Sequence, residues 1–452
     1  MSANGDVRPD EATDFDAVII GAGVIGAALG YELARRGKRT LNVDKLPAAG
    51  YGSTSNSCAI IRFSYSTYDG VAMSWEGRHY WADWSDYLGG EVDERGLARF
   101  IQCGTALLKK PGGDGHHEKV IPLLTELGIP FEDWTVEQLV ERFPAFDGSI
   151  FGPPKRPDDD RFWAEPTEQL LGAVWTDQSG YISDPQLSTH NLQRAAERVG
   201  GRFRFNTEVT SVNIGEGRVQ GLDVTGGDGR TETITAPVVI NVAGPHSFVI
   251  NRMAGLEGTM RIKTRALRHE VHHVASPPGI DYEATGCHVQ DGDTGIYIRP
   301  EAGDNILIGS EDPDCDPQEW IADPDHFDRE ISAAQWEAQV LRLARRMPDL
   351  GVPNQRRGVV DLYDVADDWI PIYDKTDLPG FYVAIGTSGN QYKNAGVAGH
   401  CMAELIEAVE GGHDHDAEPL SVTGRYTGLD LDLGSFSRNR EINENSSFSV
   451  NG

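Results

Sequence analysis

The stretch Ala17-Val-Ile-Ile-Gly21-Ala-Gly23-Val-Ile-Gly26, running on to Leu41-Asn-Val-Asp44-Lys45, decides the fold. Ala17 to Ile20 are continuously apolar, the pattern of a strand buried in a parallel sheet. Gly21, Gly23 and Gly26 follow at the spacing G-x-G-x-x-G. The first glycine allows the tight turn off the strand, and the second lets backbone amides approach a pyrophosphate. The third lets the next helix pack close to the sheet. A helix is expected over 24–36, with Ile25, Leu29 and Leu33 on its buried face and Gly37 ending it. Its first turn, at Val24 and Ile25, offers free N–H groups and a positive dipole end to a diphosphate. Thr40 to Val43 form the second strand. Asp44 closes that strand about twenty residues after Gly21, where a carboxylate accepts hydrogen bonds from an adenosine ribose, with Lys45 beside it. Strand, glycines, helix, second strand and acidic end in this order mark a dinucleotide site, and NAD and FAD both fit it.

A chain of 452 residues exceeds a typical single core, so two domains are expected. Its 40 Lys and Arg stand against 70 Asp and Glu, a net charge of −30 that repels nucleic acid and anionic membranes. The acids are scattered, as at 158–160, 312–316 and 323–328, which reads as a solvated, salt-adapted shell. Five cysteines, widely spaced and without C-x-x-C, suggest neither a zinc site nor a disulfide framework and fit a reducing cytoplasm. Residues 1–13 are polar and acidic and read as a disordered leader rather than a signal peptide. No apolar stretch reaches 18 residues, so no membrane span is expected. No metal site is expected either. His272 and His273 are adjacent in a strand and point to opposite faces, and His413-Asp-His415 lies in a solvated loop.

Further along, Gly50-Tyr-Gly-Ser53-Thr54-Ser55-Asn56-Ser57 is a Gly/Ser-rich loop whose hydroxyls suit a phosphate or a ribityl chain. Ala59-Ile-Ile-Arg62-Phe63 places an arginine at the end of an apolar run. The aromatic-rich stretch 71–88 reads as a core helix. Gly180-Tyr-Ile-Ser-Asp184-Pro185 opens another helix with Ser183 or Asp184 as cap. Strands are expected over 203–212 and 219–224 with a turn at Glu216-Gly217. Ala236-Pro-Val-Val-Ile-Asn-Val-Ala243-Gly244-Pro245 is another buried strand ending in a glycine, a second place where backbone meets a nucleotide. Runs at 268–274, 295–299 and 305–309 suggest an antiparallel sheet. Helical pattern returns at 326–346, and strands are expected at 359–363 and 381–385. Gly386-Thr387-Ser388-Gly389-Asn-Gln-Tyr-Lys393 leads into a helix over 395–409. From Asp416 onward the chain reads as polar and extended, apart from a short helical turn.

These pieces, V-I-I-G-A-G-V-I-G, I-I-R-F-S-Y, G-Y-I-S-D-P, V-V-I-N-V-A-G-P, I-L-I-G-S, D-L-Y-D-V-A-D-D-W-I-P-I and A-I-G-T-S-G-N-Q-Y-K, occur in the order found in one family. The chain resembles the FAD-dependent amine and amino-acid oxidoreductases of the D-amino acid oxidase superfamily, on the sarcosine oxidase and dimethylglycine dehydrogenase branch, over about residues 15–425. The resemblance implies FAD and an α/β fold: a glutathione-reductase-like Rossmann FAD-binding domain with a second α+β substrate domain built on an antiparallel sheet. The FAD-binding domain is expected to be discontinuous, over 14–95, 176–261 and 358–425. The substrate domain takes 96–175 and 262–357, and 426–452 forms an extended tail. By the same resemblance Arg62 and Lys393 bind a substrate carboxylate, which suits the need of a buried carboxylate for compensating charge. Val209 meets adenine. Gly386, Thr387, Ser388 and Gly389 lie near the isoalloxazine, with Ala243, Gly244 and the Ser53–Ser55 loop on the rest of the cofactor.

Two departures bear on chemistry. Asp361 and Asn56 stand where family members carry the cysteine or histidine that anchors FAD covalently, so the resemblance implies non-covalent FAD. Leu307 stands near a lysine that promotes reaction with oxygen, which leaves room for a dehydrogenase using another electron carrier. His269 reads as a packed or surface residue rather than a lining one. The implied reaction is oxidation of a secondary or tertiary amine, such as sarcosine, dimethylglycine or another amino acid, by hydride transfer to flavin N5 and hydrolysis of the imine. Oxidation of a 2-hydroxy acid or glycerol phosphate, or a flavin-carrying subunit of a larger oxidase complex, are the alternatives. The expected partners are a small-molecule substrate and an electron acceptor, oxygen or another carrier, with an oligomer compatible.

Overall fold

The computed structural model describes residues 13–112 and 115–452; nearly all of the expected leader lies outside them. The Ala17–Ile20 strand is fully buried at the middle of a six-stranded sheet. Thr40–Val43 and Arg202–Arg204 lie on one side of it, and Val238–Asn241, Phe381–Ile385 and Ile372–Lys375 on the other. All pairings are parallel except the last, where Ile372–Lys375 runs antiparallel to Phe381–Ile385. Three helices, Val24–Arg35, Pro185–Arg198 and Ala395–Glu410, pack together against this sheet. Small residues permit that closeness. Gly26 and Gly30 lie so near the second strand that a Cβ at Gly30 would run into the Asn42 side chain. Asp184 caps the second of these helices by accepting from Leu187 N at 2.8 Å. The opposite face of the sheet is covered by a three-stranded antiparallel meander, Thr207–Gly215, Arg218–Gly226 and Thr231–Thr235.

A second, nine-stranded sheet carries the other half of the molecule. Its long strand Thr264–Ala275 pairs antiparallel with Asn305–Ser310, Glu319–Ile321 and Gly358–Ala366. The sheet differs from the expected antiparallel one at a single junction: His288–Asp291 runs parallel to Thr105–Lys109. That junction joins the strands drawn from the 105–176 region to those drawn from 264–366. The Gly358–Ala366 strand, expected with the FAD-binding part, lies in this sheet, and the chain enters the first sheet only at Ile372. The helix of the 326–346 region is shorter than its pattern suggests, spanning Ala333–Arg346. It packs with Arg342 and Arg346 turned inward. Arg342 meets Asp316 at 2.7 Å, and Arg346 meets Asp291 at 2.8 Å and Asp293 at 3.0 Å. Buried guanidinium groups of this kind need such partners to offset the loss of water.

The segment after Asp416 is less extended than its composition suggests. Ser421–Thr423 and Asp430–Asp432 form a small antiparallel ribbon, and Glu76, wholly buried, holds its loop by accepting from Thr427 N at 2.9 Å. Arg438 is fully buried among Asp374, Asp377 and Asp416. Arg438, in the expected extended tail, is thus an ion-pair partner of Asp374 in the first sheet.

Candidate active site

One cavity runs from the glycine turn to the interface of the two sheets, with about 1300 Å³ of empty space, its open mouth included. At its first end stand Gly23, Val24, Ile25 and Gly26. Gly21 holds a left-handed φ of +115°, and any side chain there would strike the Val242 carbonyl. Asn42 fixes the turn by donating to Gly21 O at 3.0 Å and Gly26 O at 2.8 Å. Gly23 gives the following helix no side-chain cap, so the helix start faces the cavity with its amide end. Thr54 closes in from the Gly/Ser-rich loop, accepting from Val24 N at 3.2 Å.

Other expected cofactor residues take varied positions. Asp44 accepts from Ala22 N at 2.8 Å and Leu46 N at 2.9 Å, and burial raises its pKa despite these bonds. Lys45 meets His246 at 2.8 Å and pairs with Asp325. Ser53, Thr54 and Gly244 line the cavity, whereas Ser55 turns back to Gly52 O at 2.9 Å and Ala243 does not line it. Val209 is buried in the meander away from the cavity lining. Thr387 and Gly389 line the cavity, while Gly386 and Ser388 lie behind them. Gly386 N donates to Asp364 at 2.6 Å and Ser388 N to the Asp364 carbonyl at 2.7 Å. Burial pushes the Asp364 carboxyl up to about 7.

The loop and the second sheet are stapled where the family's covalent anchors would stand. Asn56 donates to Asp361 at 2.6 Å, and Ser53 donates to the Leu362 carbonyl at 2.8 Å. Cys58 lines the cavity, but burial raises its thiol pKa, so it is not a ready nucleophile. Leu307 packs beside this cluster and does not line the cavity.

At the far end Arg62, 6% exposed, is the one arginine or lysine lining the cavity among the described residues. It donates to the Ser64 carbonyl at 2.7 Å and to the Val450 carbonyl at 2.6 Å, and lies over the Tyr65 ring. Lys393 is brought to the same ring but is buried behind the cavity wall and donates to the Asn390 carbonyl. Burial, and then the Arg62 charge, push its pKa well below the ordinary lysine range.

Sequence reasoning missed much of this end. His269, expected to be packed or on the surface, lines the cavity, stacks on Tyr363 at 4.0 Å and meets Asp312 at 3.0 Å. Two further lining residues come from the parallel junction of the second sheet. Gln290 accepts from Ser64, and His288 has its pKa driven well below the usual range by burial. Tyr65 stands three residues after Arg62, the only local signal for any of them.

The DAO family of FAD-dependent oxidoreductases matches residues 16–405. The chain is 24% identical to FAD-dependent oxidoreductase domain-containing protein 1 of Xenopus laevis, over 91% of this chain and 82% of that protein. It is 24% identical to glycine oxidase of Geobacillus kaustophilus, over 90% of this chain and 97% of that one. It is 23% identical to sarcosine oxidase subunit beta of Rhodobacter capsulatus, over 88% and 86%. The crystal structure of the Geobacillus kaustophilus glycine oxidase superposes with a TM-score of 0.70 at 21% identity, covering 96% of this chain and all of that one. The chain belongs to the DAO family, and it is an enzyme whose cofactor is FAD. Its own residues fit that cofactor: a helix start at the cavity whose N-cap, Gly23, has no side chain to cover it, and glycines that leave room for a diphosphate. Among the described residues no helix is long and apolar enough to cross a membrane.

Proposed function

We propose that the enzyme oxidises a secondary or tertiary amine carrying a carboxylate, an N-methyl amino acid such as sarcosine or dimethylglycine, or another amino acid. The observation that carries this reading is Arg62, a buried guanidinium at the end of the cavity opposite the dinucleotide turn. A planar fork of donors there suits a planar, bidentate acceptor such as a carboxylate. A phosphate substrate would call for more cations than the single one lining the cavity. The relatives named for glycine and sarcosine are consistent with an amino-acid substrate.

Bound FAD supplies a two-electron acceptor at N5. Arg62 holds the carboxylate and so fixes which carbon of the substrate faces the second sheet. His288, its pKa far below neutrality, adds no charge beside Arg62. No protein base of unusual strength is needed if the amine binds unprotonated, and water hydrolyses the imine after oxidation. FAD is held without a covalent bond, since Asp361 and Asn56 cannot provide one. The acidic surface is an adaptation to salt.

The test is anaerobic flavin bleaching across a panel of N-methyl amino acids, D- and L-amino acids, and hydroxy acids. Bleaching by carboxylated amines supports the proposal. Bleaching by hydroxy acids alone, or by nothing unless a partner protein is present, refutes it. Acid precipitation should leave the yellow colour in solution; colour in the pellet refutes non-covalent binding.

A further inference from the structure

Residues 437–452 leave the first sheet and return to the cavity in two differently held parts. Up to Ser446 the segment is fixed to the body. Arg438 meets Asp374 at 3.0 Å and Asp416 at 2.8 Å, Arg440 meets Asp368 at 2.7 Å, and Ser446 donates to the Asp368 carbonyl at 2.6 Å. Beyond Ser446 the bonds that hold it to the rest of the chain all go to the substrate end of the cavity. Arg62 donates to the Val450 carbonyl at 2.6 Å, Gln290 donates to the Asn451 side-chain oxygen at 2.7 Å, and Ser66 donates to the Gly452 carbonyl. Val450 and Asn451 line the cavity, and Gly452 lies against Tyr65. The Asn451 side chain also bonds Glu311, and the other hydrogen bonds of 447–452 are short-range, such as Gly452 N to Ser449 O at 3.0 Å and Asn451 N to the Ser449 hydroxyl at 3.2 Å.

A neutral peptide carbonyl therefore sits on the guanidinium that best suits a carboxylate. A carboxylate on the same donor adds the attraction of its own negative charge, and can take both arms of the fork, where a carbonyl offers only a dipole. Residues 449–452 are buried, Val450 beside Val271 and Tyr297, and Phe448 is 44% exposed; the segment has no ion pair among the described residues, so neutral contacts hold it. We propose that 447–452 is a displaceable strap that occupies Arg62 and Ser66 until a carboxylate takes its place. This rests on Arg62 being the carboxylate receptor. The strap makes entry selective, because an amine without a carboxylate has nothing to offer Arg62 in exchange.

The test uses the FAD-loaded enzyme with sodium acetate as probe, against sodium chloride at equal ionic strength. Flavin absorbance reports binding, and amide hydrogen exchange reports the strap. Saturating acetate should speed exchange at Asn451 and Gly452 while Arg438, whose amide is tied to Asp374, stays protected. Deleting 447–452 should tighten acetate binding by about tenfold or more, since a closed strap reduces the apparent affinity by the fraction of open molecules. Flavin-detected binding with unchanged strap exchange overturns the proposal. Weaker binding after deletion also overturns it, because the segment would then be a fixed wall that completes the site. If the deleted chain does not fold, the exchange measurement on the full chain decides. Acetate binding that survives Arg62→Ala, or that occurs in neither form, overturns the carboxylate reading and the strap with it.

Discussion

Arg62 and Lys393 stand over one aromatic ring, the guanidinium carbon 4.3 Å and the ammonium nitrogen 4.1 Å from the centroid of Tyr65. The ring attracts both through its quadrupole, yet the two cations repel each other in a buried place. The outcome is asymmetric. Arg62 keeps its fork at the cavity, while burial and the Arg62 charge lower the Lys393 pKa. In the proposed reaction Arg62 is therefore the residue that meets the carboxylate, with Lys393 buried behind it.

Arg62→Ala should lower kcat/KM for a carboxylated amine by about ten- to a hundredfold, because a hydrogen bond to a charged group contributes roughly 1.5–3 kcal/mol. Arg62→Lys should not restore it, since a point charge lacks the bidentate fork. An amine without a carboxylate should lose little. Equal losses for both substrates in steady-state kinetics would make Arg62 structural.

How much of this was legible in the sequence follows from how local each feature is. Gly21, Gly23, Gly26 and the strands around them lie within one short stretch, so spacing alone places them. Arg62 and Lys393 come from distant segments and became a pair only through the family resemblance. Gln290 and His288 reach the cavity because their strand pairs parallel with Thr105–Lys109, a pairing that no local pattern encodes. The anchoring of 437–452 has no signal in the sequence for a physical reason: nothing near Arg438 and Arg440 marks the buried Asp374 and Asp368 that receive them.

The glycine turn separates folding from cofactor binding. A Cβ at Gly26 would run into the backbone carbonyl of Gly21, which cannot give way. At Gly23 it would stand 3.1 Å from the Thr54 hydroxyl, a side chain that can shift. Gly26→Ala should therefore destabilise the protein by about 1–3 kcal/mol, the usual range for overpacking. Gly23→Val should fold but lose FAD, its branched side chain filling the diphosphate approach. Urea denaturation and the flavin-to-protein absorbance ratio measure the two effects. Full flavin content in Gly23→Val would place the cofactor elsewhere.

Glu311 gives stability a definite pH dependence. Burial, with Asp291 next in effect, raises its carboxyl from an ordinary 4.5 to about 8, and its Oε1 has no hydrogen-bond partner among the described residues. Between those values the folded chain keeps a proton that the unfolded chain has released. Stability then falls as pH rises through that window. Glu311→Gln removes this contribution, so its urea midpoint should fall less between about pH 5 and 8. Asp364, also raised, leaves some slope in the variant. Parallel profiles for parent and variant would show that Glu311 ionises normally in the folded chain.

The acidic surface should make stability depend on salt. With 70 acids against 40 Lys and Arg, thirty carboxylates stay unmatched even if every cation is paired. Their mutual repulsion acts over about 10 Å at 0.1 M salt and about 3 Å at 1 M. Salt also weakens exposed pairs such as Arg39 with Asp14, but such pairs contribute little. The pairs that fix the fold, Arg346 with Asp291 and Arg438 with Asp374, are buried and poorly screened. Screening therefore removes more repulsion than attraction, and Tm should rise with KCl from low to about molar concentration. A Tm that stays flat or falls over that range would remove salt adaptation as the reason for the acidic composition.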